Sequence, residues 1–468
     1  MSKIKGKIER PGKNNFLRVN FYKKIIVFLC NVMVFPGILF CYSSPAKVAA
    51  SINRGKKRKL KPIITSGLGL IDIDSETNMR KRLSKIKNRG FTVIWDASPH
   101  SWTQDILNNP KEIERIEKLA RIIRQNGIGN AFGMVWELLL PKNQETGLKE
   151  EWLGKSLDPE TGLLKEERRW NYGSRKARDV FRSRFISLLQ KLSPREMFLV
   201  DEVKLGTPGP NSHYQKMSSY WTSPTYTPQA LDSFRKYLKK KRCPGAAFKR
   251  FPVTTKKLAP CAKANMGLPA IPINKNNKQL LQEDNFWPDS LLWKLWYKWR
   301  EDILTKWIDV CTTEATRVWS KNPHWLGTMF SSPYYWFDPA LGINAEKIAI
   351  LPNVDYIVTG YLSGKNFAVA RDAALKHGKK WGTMVEFSHY GQEKGVSPKR
   401  IVKNFKYQVK SGSSLVLLYA LANFTDIKRE KKAKRGLNYM PEQVKAWEKC
   451  VKWVESRNGI KKINFKAK

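Results

Sequence analysis

Residues Met197–Gly206 read MFLVDEVKLG: four apolar residues run straight into two adjacent carboxylates, Asp201 and Glu202. An unbroken apolar run is the pattern of a strand covered on both faces, as in parallel sheets, and acids at its C-terminal end face the cleft such sheets carry there. The stretch Trp381–Tyr390, WGTMVEFSHY, is built the same way, with Glu386 closing the apolar run. Two carboxylates on strand ends far apart in sequence call for a sheet that brings strand ends together.

Working outward from these two strands, the same unit recurs. Ile63–Ile73 reads as a first strand and Glu76–Asn88 as a basic helix stopped by Gly90. Phe91–Ala97 is a second strand, followed by a helix over Pro110–Gln125 with Ile113, Ile116, Leu119, Ala120 and Ile123 at helical spacing. Asn130–Trp136 is the third strand, with Glu137 at its end, and Ser174–Leu192 the third helix. The intervening stretch to Tyr172 is too long for an ordinary connection and is expected to build a cleft wall. Lys204–Pro288 is a second long interruption, helical over Pro228–Lys241. Asp289–Ser320 is a long helix whose Trp293, Trp296, Trp299 and Trp307 fall at core-facing spacing. Strands then follow at Trp325–Phe330, Tyr356–Tyr361, Gly382–Glu386 and Ser414–Leu421, with helices at Ala345–Ile350, Ala368–His377, Pro398–Lys410 and Pro441–Ser456. Eight strand–helix units in order predict an α/β fold, a single (β/α)8 TIM barrel over residues 63–458 with long insertions after strands 3 and 4.

In such a barrel the C-terminal strand ends carry function. The groups collected there are Asp96 and His100 after strand two, Glu137 after three, Asp201 and Glu202 at four, Tyr334, Tyr335 and Trp336 after five, Tyr361 at six, Glu386 and His389 at seven, and Tyr419 and Asn423 near eight. The set holds no nucleophile elbow, no phosphate-cradling glycine loop and no metal-ligand spacing, which excludes the common serine hydrolase, nucleotide and zinc chemistries. Paired acids remain: a protonated one to assist a leaving oxygen and an ionised one to meet a cationic sugar carbon, roles that Glu202 and Glu386 can fill. Asp201 beside Glu202 favours the protonated form there by like-charge repulsion. Trp336 is suited to stack on a sugar ring. No cofactor and no metal is expected.

The eight-unit cadence, the acidic pair ending strand four and the lone Glu ending strand seven resemble the clan of retaining (β/α)8 glycoside hydrolases. The stretch TYTPQALDSFRKYLKKK and the Trp-rich helix before strand five more specifically resemble the catalytic barrel of glycoside hydrolase family 42, the β-galactosidases. The resemblance covers residues 63–456 as architecture and only short motifs as sequence. It implies Glu202 as acid/base, Glu386 as nucleophile and Tyr361 as a hydrogen-bond partner of the nucleophile. Asp96, His100, Glu137, Asp201, Trp336 and Tyr419 are the expected substrate-binding groups. The clan usually has Asn immediately before its acid/base Glu; Asp201 in that place accepts a hydrogen bond from a sugar hydroxyl but cannot donate one. The expected activity is hydrolysis of a β-linked glycan with retention. The alternative is an inactive barrel that binds polysaccharide or a cell-envelope polyanion.

The chain of 468 residues carries 86 Lys and Arg against 40 Asp and Glu, a formal charge of +46, and most of that excess lies beyond residue 50. Such a field attracts anionic polysaccharide, membrane surface or nucleic acid. The lysines are scattered over helices and loops, so no nucleic-acid module is expected and the partner is an oligosaccharide or polysaccharide, anionic ones included. Residues 1–50 follow the order of a signal peptide: a basic start, the apolar run Ile25–Tyr42 and small residues before Ser51. Export is expected, with an N-terminal membrane anchor as the alternative. Residues 51–62 read as a basic linker and 459–468 as a basic tail. The cysteines beyond the leader, Cys243, Cys261, Cys311 and Cys450, allow three pairings that spacing does not choose between.

Overall fold

The computed structural model describes residues 61–67, 76–95, 105–134, 136–141, 149–157, 164–200, 227–240, 291–319, 326–327, 342–359, 365–387, 396–419, 440–457 and 459–460. All lie within one compact unit, Leu60–Lys468. The expected leader, linker and tail lie outside these residues, apart from residues 61–62 and 459–460. Among the described residues no helix is long and apolar enough to cross a membrane.

Eight strands form one parallel sheet: β1 (Ile63–Gly67), β2 (Val93–Trp95), β3 (Gly129–Met134), β6 (Met197–Val200), β7 (Leu326–Gly327), β8 (Tyr356–Thr359), β9 (Lys380–Glu386) and β10 (Leu415–Tyr419). Their order is β6-β3-β2-β1-β10-β9-β8-β7, every pairing parallel. The two end strands, β6 and β7, approach each other, so the sheet curls round on itself. Between β3 and β6 a separate antiparallel hairpin joins β4 (Leu153–Leu157) and β5 (Leu164–Trp170). The protein is thus the (β/α)8 barrel expected from the sequence, with a hairpin in the first long insertion.

The strands alternate in the way a closed parallel sheet requires. Ile63, Val93, Trp95, Ala131, Met197, Tyr356, Val358, Met384, Leu415 and Leu417 pack together inside the barrel. Their neighbours Ile64, Ile94, Val385, Val416 and Leu418 pack outward against the helices.

Those helices are α1 (Glu76–Asn88), α2 (Pro110–Gln125), α3 (Arg175–Lys191), α4 (Pro228–Lys240), α5 (Leu291–Val318), α6 (Ala345–Ala349), α7 (Lys365–Lys376), α8 (Pro398–Lys410) and α9 (Pro441–Arg457). Their starts are chemically marked. Asn109, Ser174, Asn344 and Ser397 cap α2, α3, α6 and α8, each side-chain oxygen accepting the backbone N–H three residues on. Pro110 and Pro398 occupy the first helical position, where the missing N–H costs nothing. Gly90 and Gly127 end α1 and α2 at φ of 88° and 67°, a conformation open to glycine at little cost.

Trp299 and Trp307 of α5 are buried, at 3% and 0% exposure, as their spacing predicts for core residues. Trp307 lies among Trp136, Trp170, Tyr172 and Phe181, with ring centroids 4.7–6.0 Å away. Cys311 and Cys450 are free buried thiols in two different clusters; Cys243 and Cys261 lie outside the described residues. Burial pushes both thiols up, Cys450 to about 12.

Candidate functional site

The C-terminal rim is where the barrel collects its strand ends, and β9 and β10 show how it is fixed. In β9, Trp381 packs outward, Gly382 and Met384 fall on the inner face, and Val385 returns outward. A Cβ on Gly382 would lie 2.7 Å from the Leu415 carbonyl oxygen, so glycine permits the close approach of β9 to β10. Gln408 of α8 donates to the Met384 carbonyl at 3.2 Å. Phe387, directly after the strand, is fully buried on the outer side, its ring 6.0 Å from Trp447 of α9, and its carbonyl accepts Val396 N–H. With Val385 and Phe387 both held outward, Glu386 takes the inner-face register position at the last residue of β9. Tyr419, last residue of β10, pairs with Glu386 in the ladder and occupies the same register layer.

On the opposite side of the rim stands Glu137. Four strand steps separate β3 from β9 in either direction round the circle, through β2, β1 and β10 or through β6, β7 and β8, so the two strands face each other across the barrel. Glu137 lies in a 3-10 turn, Trp136–Leu139, just past β3. Its flanking residues are clamped: Trp136 is 3% exposed, Leu138 2%, and Trp170 Nε1 donates to the Trp136 carbonyl at 2.9 Å. The half-buried carboxylate accepts the Tyr172 hydroxyl at 3.0 Å. Tyr172 is itself locked, because Trp307 Nε1 donates to its carbonyl at 3.1 Å and its ring packs 5.0 Å from Trp307 and 5.5 Å from Trp136. Burial, and after it the negative charge of Glu137, holds the Tyr172 phenol well above its usual range, so it stays a donor.

Strand β6 carries the other half of the expected chemistry. Met197 points into the barrel while Phe198 packs outward against Phe185, Phe132 and Trp319. The strand ends at Val200, immediately before Asp201 and Glu202. Those two residues lie outside the described ones, as do Asp96, His100, Trp336 and Tyr361. Of the expected site, the structure therefore places the Glu386 and Tyr419 backbones in one register pair and the Glu137 side chain across from them.

Two further residues belong to this rim. Trp95, 6% exposed, ends β2 on the inner face between Gly67 and Ala131, whose small size leaves room for the indole. In sequence it sits in a plain apolar run, FTVIWDA, where only its position in the alternation marks it. Tyr172 stands in WNYG, which reads as a turn; its hydroxyl contact with Glu137 comes from the packing of the hairpin and has no sequence signal. Among the described residues no group of three or more His, Cys, Asp or Glu is placed to hold a metal ion.

No protein-family model and no curated protein matches the sequence. Solved structures do. The catalytic domain of β-amylase from Paenibacillus polymyxa aligns with a TM-score of 0.56 at 12% identity, over 84% of this chain and 98% of that one. The β-galactosidase of Halorubrum lacusprofundi aligns at 0.55 and 8% identity, over 86% of this chain and 59% of that one. The β-galactosidase of Marinomonas ef1 aligns at 0.53 and 11% identity, over 86% of this chain and 61% of that one. At such identities the likeness is one of fold: the chain is a (β/α)8 barrel of the architecture that these β-amylase and β-galactosidase structures share.

Proposed function

We propose that the protein is an exported glycoside hydrolase that cleaves a β-linked glycan with retention of configuration. The observation that carries the reading is the position of Glu386, the last residue of β9, on the inner-face register of a barrel whose β6 ends one residue before Asp201 and Glu202. In this scheme Glu202 protonates the glycosidic oxygen as the bond to the anomeric carbon breaks, and Glu386 attacks that carbon to give a covalent glycosyl ester. Glu202, now ionised, takes a proton from water, which displaces Glu386 and regenerates both groups. Tyr361 bonds Glu386, and Trp336, Tyr419, Asp96 and His100 contact the sugar. The fold likeness to barrels named β-amylase and β-galactosidase supports the reaction class. Export rests on the signal-like order of residues 1–50, and the basic field favours an acidic polymer as the larger substrate.

The test is hydrolysis of aryl glycosides and natural oligosaccharides by the full chain, beside Glu202→Gln and Glu386→Gln. Turnover that either substitution removes by about a thousandfold or more, with folding intact, supports the assignment. Turnover that survives both substitutions rejects these residues. Binding without turnover favours the second reading, a non-hydrolytic polysaccharide-binding barrel, for which Asp201 in place of the clan's usual Asn is the specific observation. N-terminal sequencing of the exported product tests cleavage before Ser51.

A further inference from the structure

Among the described residues, the buried carboxylates are paired with cations. Asp105 pairs with Arg184, Glu112 with Arg115, Glu301 with Lys347, and Glu314 with Arg182 and Arg317. That is the expected behaviour, since a carboxylate removed from water is costly without a cation. Glu137, a half-buried carboxylate like Glu196, is held by a neutral donor instead. Its carboxylate is half-buried, it forms no ion pair among the described residues, and its partner is the neutral Tyr172 hydroxyl at 3.0 Å. The arrangement is also rigid, because the Tyr172 carbonyl, the Tyr172 ring and both flanks of Glu137 are held by Trp136, Trp170 and Trp307.

The Tyr172 hydroxyl on Oε1 leaves Oε2 and further lone pairs as acceptors, on a carboxylate whose flanking residues are held by packing. Adjacent hydroxyls on one sugar ring are the complementary donors. Its negative charge repels a carboxylate or sulfate in that position. Standing after β3, opposite β9, Glu137 is placed to hold the part of a sugar furthest from Glu386.

We propose that Glu137, positioned by Tyr172, is a specificity-determining residue that accepts hydrogen bonds from neighbouring hydroxyls of an uncharged sugar unit and excludes uronate and sulfated units from that subsite. This rests on the glycosidase reading and deepens it. The basic exterior and the acidic subsite are compatible in a polymer whose charged units lie on either side of a neutral one.

The experiment compares full-length parent, Glu137→Gln and Tyr172→Phe on p-nitrophenyl β-glycosides of galactose, glucose, mannose and xylose, on p-nitrophenyl β-glucuronide, and on neutral and acidic oligosaccharides. Thermal unfolding of each variant serves as the folding control. Glu137→Gln should raise KM for the preferred neutral substrate about tenfold or more, with kcat within about threefold. It should also raise the kcat/KM ratio of glucuronide to neutral glycoside, which a merely structural role would not move. Tyr172→Phe should shift KM in the same direction by less. An active parent whose KM and charge preference are unchanged in both variants overturns this proposal alone. A parent that prefers the glucuronide overturns it too. A parent that neither binds nor cleaves any of these compounds removes the glycosidase reading and this inference with it.

Discussion

Tyr419 and Glu386 are ladder partners: the last residue of β10 sits beside the last residue of β9, in the same layer of the C-terminal rim. Adjacent strands lie about 4.8 Å apart, so the two positions are immediate neighbours on the rim. If Tyr419 contacts the nucleophile or the sugar it meets, Tyr419→Phe should lower kcat/KM by about 10- to 100-fold, the range expected for one hydrogen bond to a charged group. The melting temperature should stay close to that of the parent. Steady-state kinetics with an active aryl glycoside measures the first, and calorimetry the second. Unchanged kinetics would place Tyr419 outside the site.

The separation of Glu202 and Glu386 decides the stereochemistry. β6 and β9 stand three strand steps apart round the sheet through β7 and β8, so both strands end on the same rim. A crystal structure should show the two carboxyl groups about 5–5.5 Å apart, the span of a retaining enzyme, and proton NMR of the first-formed sugar should show the starting anomer. A gap of about 6.5–9.5 Å with the inverted anomer would replace the covalent step with direct attack by water.

The parts of this fold legible in the sequence are those where one local pattern and its tertiary environment agree. α1, α2 and α8 begin and end where their spacing, prolines and caps place them, at Glu76–Asn88, Pro110–Gln125 and Pro398–Lys410. α7 starts earlier than its apolar residues suggest, at Lys365, because helix starts draw on polar residues as readily as apolar ones. The hairpin was not legible: β5, LKEERRW, lacks the β-branched residues of a strand and is held by its pairing with β4. Glu386 could be read directly, since alternation and strand end coincide there. Tyr172 could not, because its contact with Glu137 crosses 35 positions through side-chain packing alone.

Stability at the N-terminal side of the barrel hinges on a lopsided ion pair. Arg195 is fully buried and donates to Glu117 at 2.6 Å, while the Glu117 side chain keeps 29% exposure. Glu117 also accepts the Ser193 hydroxyl and N–H, at 2.6 and 3.1 Å. Removing the acid takes the ion-pair partner from a buried guanidinium that keeps its bonds to the Ser193 carbonyl and hydroxyl; removing the arginine leaves an acid that water can reach. Glu117→Ala should therefore cost about 3–5 kcal/mol, and Arg195→Met clearly less, in urea unfolding at neutral pH. Equal losses would mean that the arginine's packing, and not its charge, is what matters.

Two carboxylates should give opposite pH slopes. For Glu314, burial pushes the carboxyl up, but hydrogen bonds from Arg317 and Arg182 and their charges outweigh it and hold the group below its ordinary 4.5. Its stabilising contribution is present above pH 4.5 and is lost as pH falls through the lower native value. For Glu196, burial wins over the Asn130 N–H it accepts at 2.8 Å and over the charges of Arg124 and Arg195, and the carboxyl titrates above 4.5. That contribution is present below pH 4.5 and is lost as pH rises through the native value. Glu314→Gln should then destabilise the protein at pH 7, by about 2 kcal/mol for two charged hydrogen bonds weakened, with the difference from the parent shrinking below pH 4.5. Glu196→Gln keeps an acceptor for Asn130 and should be neutral or stabilising at pH 7, less so below pH 4.5. Unfolding free energies of both variants from pH 3 to 8 test the pair, and slopes of the same sign would contradict the balance of burial and charge assigned to one of them.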